Sequence, residues 1–416
     1  MASQGSTIHS RRRQGRGRAG SLHRIETDPG HHLTGPFMAQ TPIGSNTPDS
    51  NGSPVSLKGS GFNHTKHAEG FLADLKSARW VVEPASSLKL LMIPVILYLN
   101  WHFLSPYVSP NSPNPFEPML FISHRVPSSP DDKPLYAKGY FDLLFIAYYV
   151  IFFSFLRQFI TIIISQPVAR YFGIRKQGKL DRFGEQGYAL VYFAVMGAWG
   201  LRIMSQLPTW WYRTDSFWID YPQWQMHPEL KRYYLMHSAY WCQQFIVLLL
   251  RLEKPRSDYT ELIAHHIVTL WLIGWSYLVN LTLIGHAVHM SMDIPDAFLA
   301  FSKLLNYIQW EKSKSIAFLV FICIWTYFRH WLNLVILWSV WYEFDLIPEA
   351  SRAWIPENGV WLTWWMKYQI FTPLVLLHML NIFWSFLMWR ILIRSIKTAV
   401  TVTDERSDDE DDDEDD

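Results

Sequence analysis

The sequence predicts an all-α polytopic membrane protein. Its 416 residues are 49% hydrophobic and 16% aromatic, and the apolar residues form runs close to the roughly 20 residues that a spanning helix needs. Many of the 21 Trp and 20 Tyr residues flank these runs, as in the aromatic belts of membrane proteins. The net charge of +1 favours no particular partner, and we expect no binding to nucleic acid.

About eight transmembrane helices are predicted, and their bounds are uncertain by several residues. They lie at about 88–104, 140–165, 187–205, 233–250, 262–280, 283–305, 315–342 and 368–394. The segments 166–186, 251–260 and 306–314 between alternate spans are basic. Because basic loops stay in the cytosol, this alternation predicts that both termini are cytosolic and that the number of spans is even. Six spans with a different pairing remain an alternative.

The two ends of the chain differ from the spans. Residues 1–86 are polar and lack the apolar core of a signal peptide. Their composition predicts a disordered cytosolic region. Residues 87–179 hold the first two spans and a lumenal loop, and residues 180–395 hold the last six spans. Residues 396–416 form an acidic cytosolic tail, in which Ser407 precedes three acidic residues and is a predicted site for an acid-directed kinase.

One predicted span carries an ordered row of polar residues. His286, His289, Asp293 and Asp296 are separated by three, four and three positions, a spacing that puts all four on one face of a helix. Titratable groups in lipid are costly, so this face must point into a bundle or a polar cavity. The last six spans are therefore predicted to surround a polar cavity.

The preceding span carries two adjacent histidines, His265 and His266. A turn at about 279–282, where Asn280 and Thr282 are suited to it, would bring this pair level with Asp293 and Asp296. We therefore expect one site, with an imidazole within about 3 Å of a carboxylate, directly or through one water. The pair and the carboxylates suit proton transfer. Two alternatives remain. In the first, the histidines and aspartates pair with each other and only hold the hairpin together. In the second, they bind a metal ion, although the sequence has no separate His-rich boxes and its two cysteines have no zinc-type spacing.

The segments "HHIVTLWLIGWSY" and "HMSMDIPDAFLAFSKLLNY" resemble the signature of the longevity-assurance ceramide synthases, which carry the TRAM–LAG1–CLN8 (TLC) membrane domain. The resemblance covers roughly residues 180–395. It includes the histidine pair, the D-x-x-D pair and the K-x-x-N-Y that follows, and the polar N-terminal region and acidic tail resemble fungal members. The last six helices would then form a TLC-type bundle, and residues 180–395 a TLC catalytic domain.

The resemblance implies an acyl-CoA-dependent sphingoid base N-acyltransferase of the endoplasmic reticulum membrane. It implies that His265, His266, Asp293 and Asp296 are the essential residues and that neither a metal nor another cofactor is required. A small single-span accessory subunit and a homo- or heterodimer are expected partners, with very long acyl chains as the expected substrates. The rival function is a non-enzymatic TLC-type protein that senses or organises lipid or assists translocation.

The implied reaction assigns tasks to these residues. The amine of a sphingoid base is mostly protonated at neutral pH and must lose a proton before it attacks a thioester, which a histidine can accept. Alternatively, a histidine attacks first and forms an acyl-imidazole; the sequence does not decide which histidine acts, or how. The phosphates of CoA could be attracted by the basic residues of the cytosolic loops, namely Arg175, Lys176, Arg251 and Lys254.

Overall fold

The described part of the chain consists of eight long helices and the loops between them. The computed structural model describes residues 75–110, 112–250 and 259–398. The helices are α1 (Pro84–Val108), α2 (Phe141–Tyr171), α3 (Gln177–Met204), α4 (Pro228–Leu249), α5 (Tyr259–Leu278), α6 (Thr282–Ile308), α7 (Glu311–Tyr342) and α8 (Met366–Thr398). These residues contain no β-strand, so the all-α fold is confirmed. Of the two ends predicted to be disordered, residues 1–74 and 399–416 lie outside the described residues. Residues 75–86 are described and include a 3-10 helix, Arg79–Val81, and the start of α1.

Each helix overlaps one of the eight predicted spans. Among the described residues, five helices are long and apolar enough to cross a membrane, namely α1, α2, α3, α7 and α8. The other three, α4, α5 and α6, carry most of the buried histidines and the two aspartates of the row. Their polarity lowers their mean hydropathy, and the number of spans therefore stays a prediction.

The turn between α5 and α6 lies where the sequence predicts it. Helix α5 ends at Leu278 and α6 begins at Thr282. Asn280 takes a left-handed conformation with φ of 61°, which Asn tolerates better than most residues. Its side-chain amide donates to the carbonyl of Gly359, 2.8 Å away. This bond anchors the turn to the loop before α8.

Helix α6 lies at the centre of the bundle. It packs most extensively on α3 and next on α7, and most of its residues are buried. Helices α1 and α2 lie to one side, with α1 on α2 and α2 on α4. The polar row is therefore carried by the helix that is most enclosed by protein.

A buried ion pair ties the loop between α1 and α2 to the bundle. Lys231 Nζ at the start of α4 lies 2.7 Å from the carboxylate of Asp142 at the start of α2, and it donates to the carbonyls of Ser123 and Ala137 at 2.8 and 2.6 Å. Tyr277, near the end of α5, donates to the same carboxylate at 2.8 Å. All three Lys231 donors are thus satisfied, as a buried ammonium requires.

The predicted basic loops 166–186 and 306–314 meet at the opposite end of the bundle. Phe172, after α2, packs on Trp310, between α6 and α7, with ring centroids 5.8 Å apart. At the end of α4, Val247 packs with Val81, which precedes α1. These contacts fit the predicted alternation of loops, whereas sidedness in a membrane stays a prediction.

Candidate active site

The four polar residues of the predicted row on α6 face the interior. The exposed fractions of His286, His289, Asp293 and Asp296 are 0%, 6%, 2% and 2%. The prediction that this face points into the bundle is therefore confirmed. Pro295 lies within the same stretch, and the helix continues through it to Ile308.

The adjacent histidines of α5 are both buried but have different surroundings. His265 packs edge-on between Trp241 and Trp384, with centroids 5.6 and 5.7 Å away, and its Nε2 lies 3.1 Å from the hydroxyl of Thr269. His266 Nδ1 lies 2.8 Å from the carbonyl oxygen of Leu262. A carbonyl only accepts, so this nitrogen carries the proton and donates. Both rings thus have a partner within α5, His265 a hydroxyl and His266 a carbonyl.

A cavity runs between α5, α6 and α8. The empty space between these helices, part of which is open to the surroundings, is about 730 Å³. Most of its wall is apolar, and its polar side chains other than tryptophan are those of His265, Thr269, Ser276, His289 and Asp293. His265 and Asp293 therefore open onto one space. Among the described residues, His266 and Asp296 are not part of this wall.

Asp293 is held by two side chains of α4. His237 Nε2 lies 3.1 Å from Asp293 Oδ2, and the hydroxyl of Tyr233 donates to the same oxygen at 3.2 Å. The other ring nitrogen of His237, Nδ1, lies 3.4 Å from the hydroxyl of Tyr192 on α3. A carboxylate beside an imidazole can orient the ring and stabilise its cationic form, as in catalytic triads.

Asp296 faces a cation instead. Arg329 on α7 brings its Nη2 to 2.7 Å from Asp296 Oδ1, and it also donates to the Met292 carbonyl and to Asn381 of α8, both at 3.0 Å. The guanidinium lies over the Trp325 ring, 4.5 Å from its centroid. An arginine remains charged in proteins, so this contact joins α6, α7 and α8 through a fixed charge.

Arg329 lies in a π-helical stretch of α7. Residues Thr326–Leu332 form this stretch. Phe328, Arg329, Leu332 and Asn333 are all buried. π-helical turns are frequent at functional sites.

Sequence reasoning missed two of these residues. His237 is a single histidine in a predicted span, and nothing in the sequence indicates that it contacts Asp293 on another helix. Arg329 carried a usable signal, because a charged residue inside an apolar span is by default a candidate for function. Its partner, Asp296, could not be identified from the sequence, because the two residues lie on different helices.

Several predictions stay open. A direct bond from the histidine pair to an aspartate stays a prediction, although His265 and Asp293 share the cavity. Arg175 and Lys176 are exposed between α2 and α3. Arg251, Lys254 and Ser407 lie outside the described residues. Within residues 75–110, 112–250 and 259–398, no group of three His, Cys, Asp or Glu side chains is arranged to hold a metal ion.

The fold and the site define a polytopic helical membrane protein with a titratable centre beside an apolar cavity. The family model of the TLC domain, named for TRAM, LAG1 and CLN8, matches residues 182–390. The chain therefore belongs to the TLC domain family.

Similar proteins come from several fungi. The chain is 40% identical to sphingosine N-acyltransferase lac1 of Schizosaccharomyces pombe, over 80% of this chain and 82% of that protein. It is 38% identical to ceramide synthase LAG1 of Saccharomyces cerevisiae, over 71% of this chain and 70% of that protein. It is 37% identical to the sphingosine N-acyltransferase-like protein FUM17 of Gibberella moniliformis, over 70% of this chain and 76% of that protein.

Proposed function

We propose that this protein is a ceramide synthase, which transfers a fatty acyl group from acyl-CoA to the amine of a sphingoid base. The observation that carries the proposal is that His265 and Asp293 line the same apolar cavity. The names of the fungal relatives support it and favour an enzyme over a non-enzymatic lipid sensor. The two substrates are a sphingoid base and an acyl-CoA.

The cavity suits the acyl chain. Along α5 its wall extends from His265 to Ser276, which is about 16 Å at 1.5 Å per residue. The thioester carbonyl belongs at the His265 end and the tail toward the α5–α6 turn. By family resemblance, the preferred acyl chains are very long, so only the part of the tail nearest the carbonyl lies along this stretch of α5.

The chemistry needs one proton acceptor and a group that supports it. The ammonium of the base gives up a proton, the amine attacks the thioester carbonyl, the carbon–sulfur bond breaks, and the thiolate takes up a proton to leave as CoA. One proton is released overall. His265 removes the proton directly, or becomes acylated first and passes the acyl group to the amine.

The remaining polar residues position this centre. Asp293 stabilises charge on the histidine side of the cavity. His266, tied to Leu262, fixes the histidine turn of α5, and Asp296, tied to Arg329, fixes α6. Both act through their neighbours rather than on substrate.

Several features extend the proposal beyond the cavity. The enzyme resides in the endoplasmic reticulum membrane with both termini in the cytosol. The CoA head group stays in water, where the predicted cytosolic residues Arg175, Lys176, Arg251 and Lys254 attract its phosphates. A small single-span subunit and a second ceramide synthase chain are its partners. An acid-directed kinase acts on Ser407.

The test is acyl transfer by the purified protein in lipid vesicles. Sphinganine and acyl-CoA are supplied, ceramide is measured by mass spectrometry, and free CoA thiol by a colorimetric assay. We expect one thiol per ceramide for the wild type. His265→Gln should lower the rate by about 10²–10⁴-fold, the range of general acid–base catalysis, whereas His266→Gln should retain more activity.

Two outcomes would overturn the proposal. Wild-type protein that forms no amide from any acyl-CoA would exclude the function itself. A wild-type rate in His265→Gln would remove the histidine from the mechanism. The assay is also repeated with a chelator, which tests for a metal. Activity that is lost with the chelator and restored by zinc or iron would indicate a metal-dependent mechanism instead of this one.

A further inference from the structure

His289 is the second histidine in the cavity wall. Its side chain is 6% exposed and lines the same space as His265 and Asp293. Its Nδ1 has no hydrogen-bond partner among residues 75–110, 112–250 and 259–398. A buried polar atom without a partner is costly, and each case in a native protein calls for an explanation. A ligand in the cavity would supply the missing partner.

The ring of His289 is held in place by its neighbours. It stacks on His237, with centroids 4.4 Å apart and planes at 14°, and its ring centroid lies 5.1 Å from that of Tyr234. His237 is itself held between Asp293 and Tyr192. The imidazole is therefore held in a fixed orientation, which favours recognition over adaptable packing.

The position of His289 relates it to the reacting amine. It lies four residues before Asp293 on α6, so the two side chains occupy adjacent turns of one face. In a sphingoid base, hydroxyl groups occupy the carbons on either side of the amine-bearing carbon. An amine held between His265 and Asp293 would thus bring a hydroxyl toward the next turn of α6.

We propose that His289 binds a hydroxyl group adjacent to the amine of the sphingoid base and so selects hydroxylated bases over plain alkylamines. The inference rests on the proposed function. A hydroxyl both donates and accepts, so it can pair with Nδ1 in either tautomer of the imidazole. Sites built to bond a substrate hydroxyl reject the analogue that lacks it, because the buried polar group is then left unpaired.

The test compares amines on the same reconstituted enzyme. The values of kcat/KM are measured for sphinganine and for octadecylamine, which lacks both hydroxyls, with one acyl-CoA. We expect the wild type to favour sphinganine by about tenfold or more. His289→Phe, which keeps a ring against His237 but removes the nitrogens, should bring the ratio close to one.

Two further variants separate recognition from packing. His289→Gln keeps a hydrogen-bonding amide and should restore part of the preference. His286→Phe changes a buried histidine one turn earlier that is not part of the cavity wall, and it should leave the ratio unchanged. The ratio between two amines is insensitive to the fraction of folded enzyme, so partial loss of folding does not affect this readout.

The results of these measurements either identify the bound hydroxyl or contradict the proposal. 1-Deoxysphinganine, which lacks only one of the two hydroxyls, identifies the hydroxyl that is bound. If the wild type accepts octadecylamine as well as sphinganine, the proposal is wrong although acyl transfer is intact. If His289→Phe lowers both rates by one common factor, the histidine acts in packing or chemistry and not in recognition. Absence of amide formation by the wild type with any amine would instead exclude the proposed function.

Discussion

Asp293 and Asp296 are two aspartates one turn apart on α6, each 2% exposed, yet their surroundings differ. Asp293 lines the cavity and lies 3.1 Å from an imidazole. Asp296 lies 2.7 Å from a guanidinium that also reaches α8. The partner of Asp293 is an imidazole, which carries both a donor and an acceptor when neutral, whereas the partner of Asp296 is a guanidinium, which only donates. The two carboxylates are alike in residue type and burial, and they differ in the side chain that each contacts.

We propose that the site has a reacting half and a supporting half. His265 and Asp293 line the cavity, whereas His266 bonds to Leu262 within α5 and Asp296 pairs with Arg329 of α7. Variants of the reacting half should change the turnover of folded enzyme. Variants of the supporting half should change the amount of folded enzyme more than its turnover.

The largest effect is expected from removing the charge of Asp293. Asp293→Asn keeps the size of the side chain but cannot stabilise a cationic imidazole, so we expect kcat to fall by about 10²–10⁴-fold. Asp296→Asn should lower kcat less and the folded yield more. Rates are normalised to folded protein by size-exclusion chromatography in detergent. Equal losses of kcat in both variants would remove the distinction between the two carboxylates.

The next effect concerns the ion pair of Asp296. Arg329→Met leaves a buried carboxylate without its cation, a change that costs about 3–5 kcal/mol. The double variant Arg329→Met with Asp296→Leu replaces the whole pair with apolar side chains and should recover much of the loss. Thermal unfolding in detergent measures both. A single variant as stable as the wild type would show that the pair does not hold α6 to α7.

Lys231→Met is the matched control for Arg329→Met. It also leaves a buried carboxylate, that of Asp142, without its cation, but the pair joins the α1–α2 loop to the bundle. We expect a lower melting temperature with an unchanged kcat per folded molecule. A loss of kcat as large as that of Asp293→Asn would connect this end of the protein to the chemistry.

The smallest effect tests where the acyl tail lies. Ile284 is 4% exposed and lines the cavity near the α5–α6 turn. Ile284→Phe should narrow the space and shift the preferred acyl chain toward shorter lengths by about tenfold in relative kcat/KM, whereas Ile284→Ala should shift it toward longer ones. Ile267→Phe is the control, because Ile267 is 50% exposed and is not part of the wall. An unchanged chain-length profile in both Ile284 variants would place the tail elsewhere.

The sequence predicts the parts of this molecule that depend on local spacing. The row of His286, His289, Asp293 and Asp296 follows from helical periodicity, and the turn at Asn280 follows from equal depth in a hairpin. Both are confirmed. Eight apolar runs predict eight helices because each run is long enough to form one without its neighbours.

What the sequence could not predict depends on contacts between distant helices. The pairing of Arg329 with Asp296 joins residues of two different helices, α7 and α6. The contact of His237 with Asp293 joins residues 56 positions apart along the chain. The choice of His265 over His266 for the cavity wall depends on the rotation of α5 against α8. None of these has a periodic signature.

The central claim is that His265 and Asp293 act as one unit in one cavity, and a double-mutant cycle tests it most directly. The kcat for ceramide formation is measured for His265→Gln, Asp293→Asn and the double variant, each normalised to folded protein. Residues that act together are strongly non-additive, so the account predicts that the double variant is within about threefold of the slower single variant. A double variant whose loss equals the product of the two single losses would contradict the account, as would a wild-type rate in either single variant.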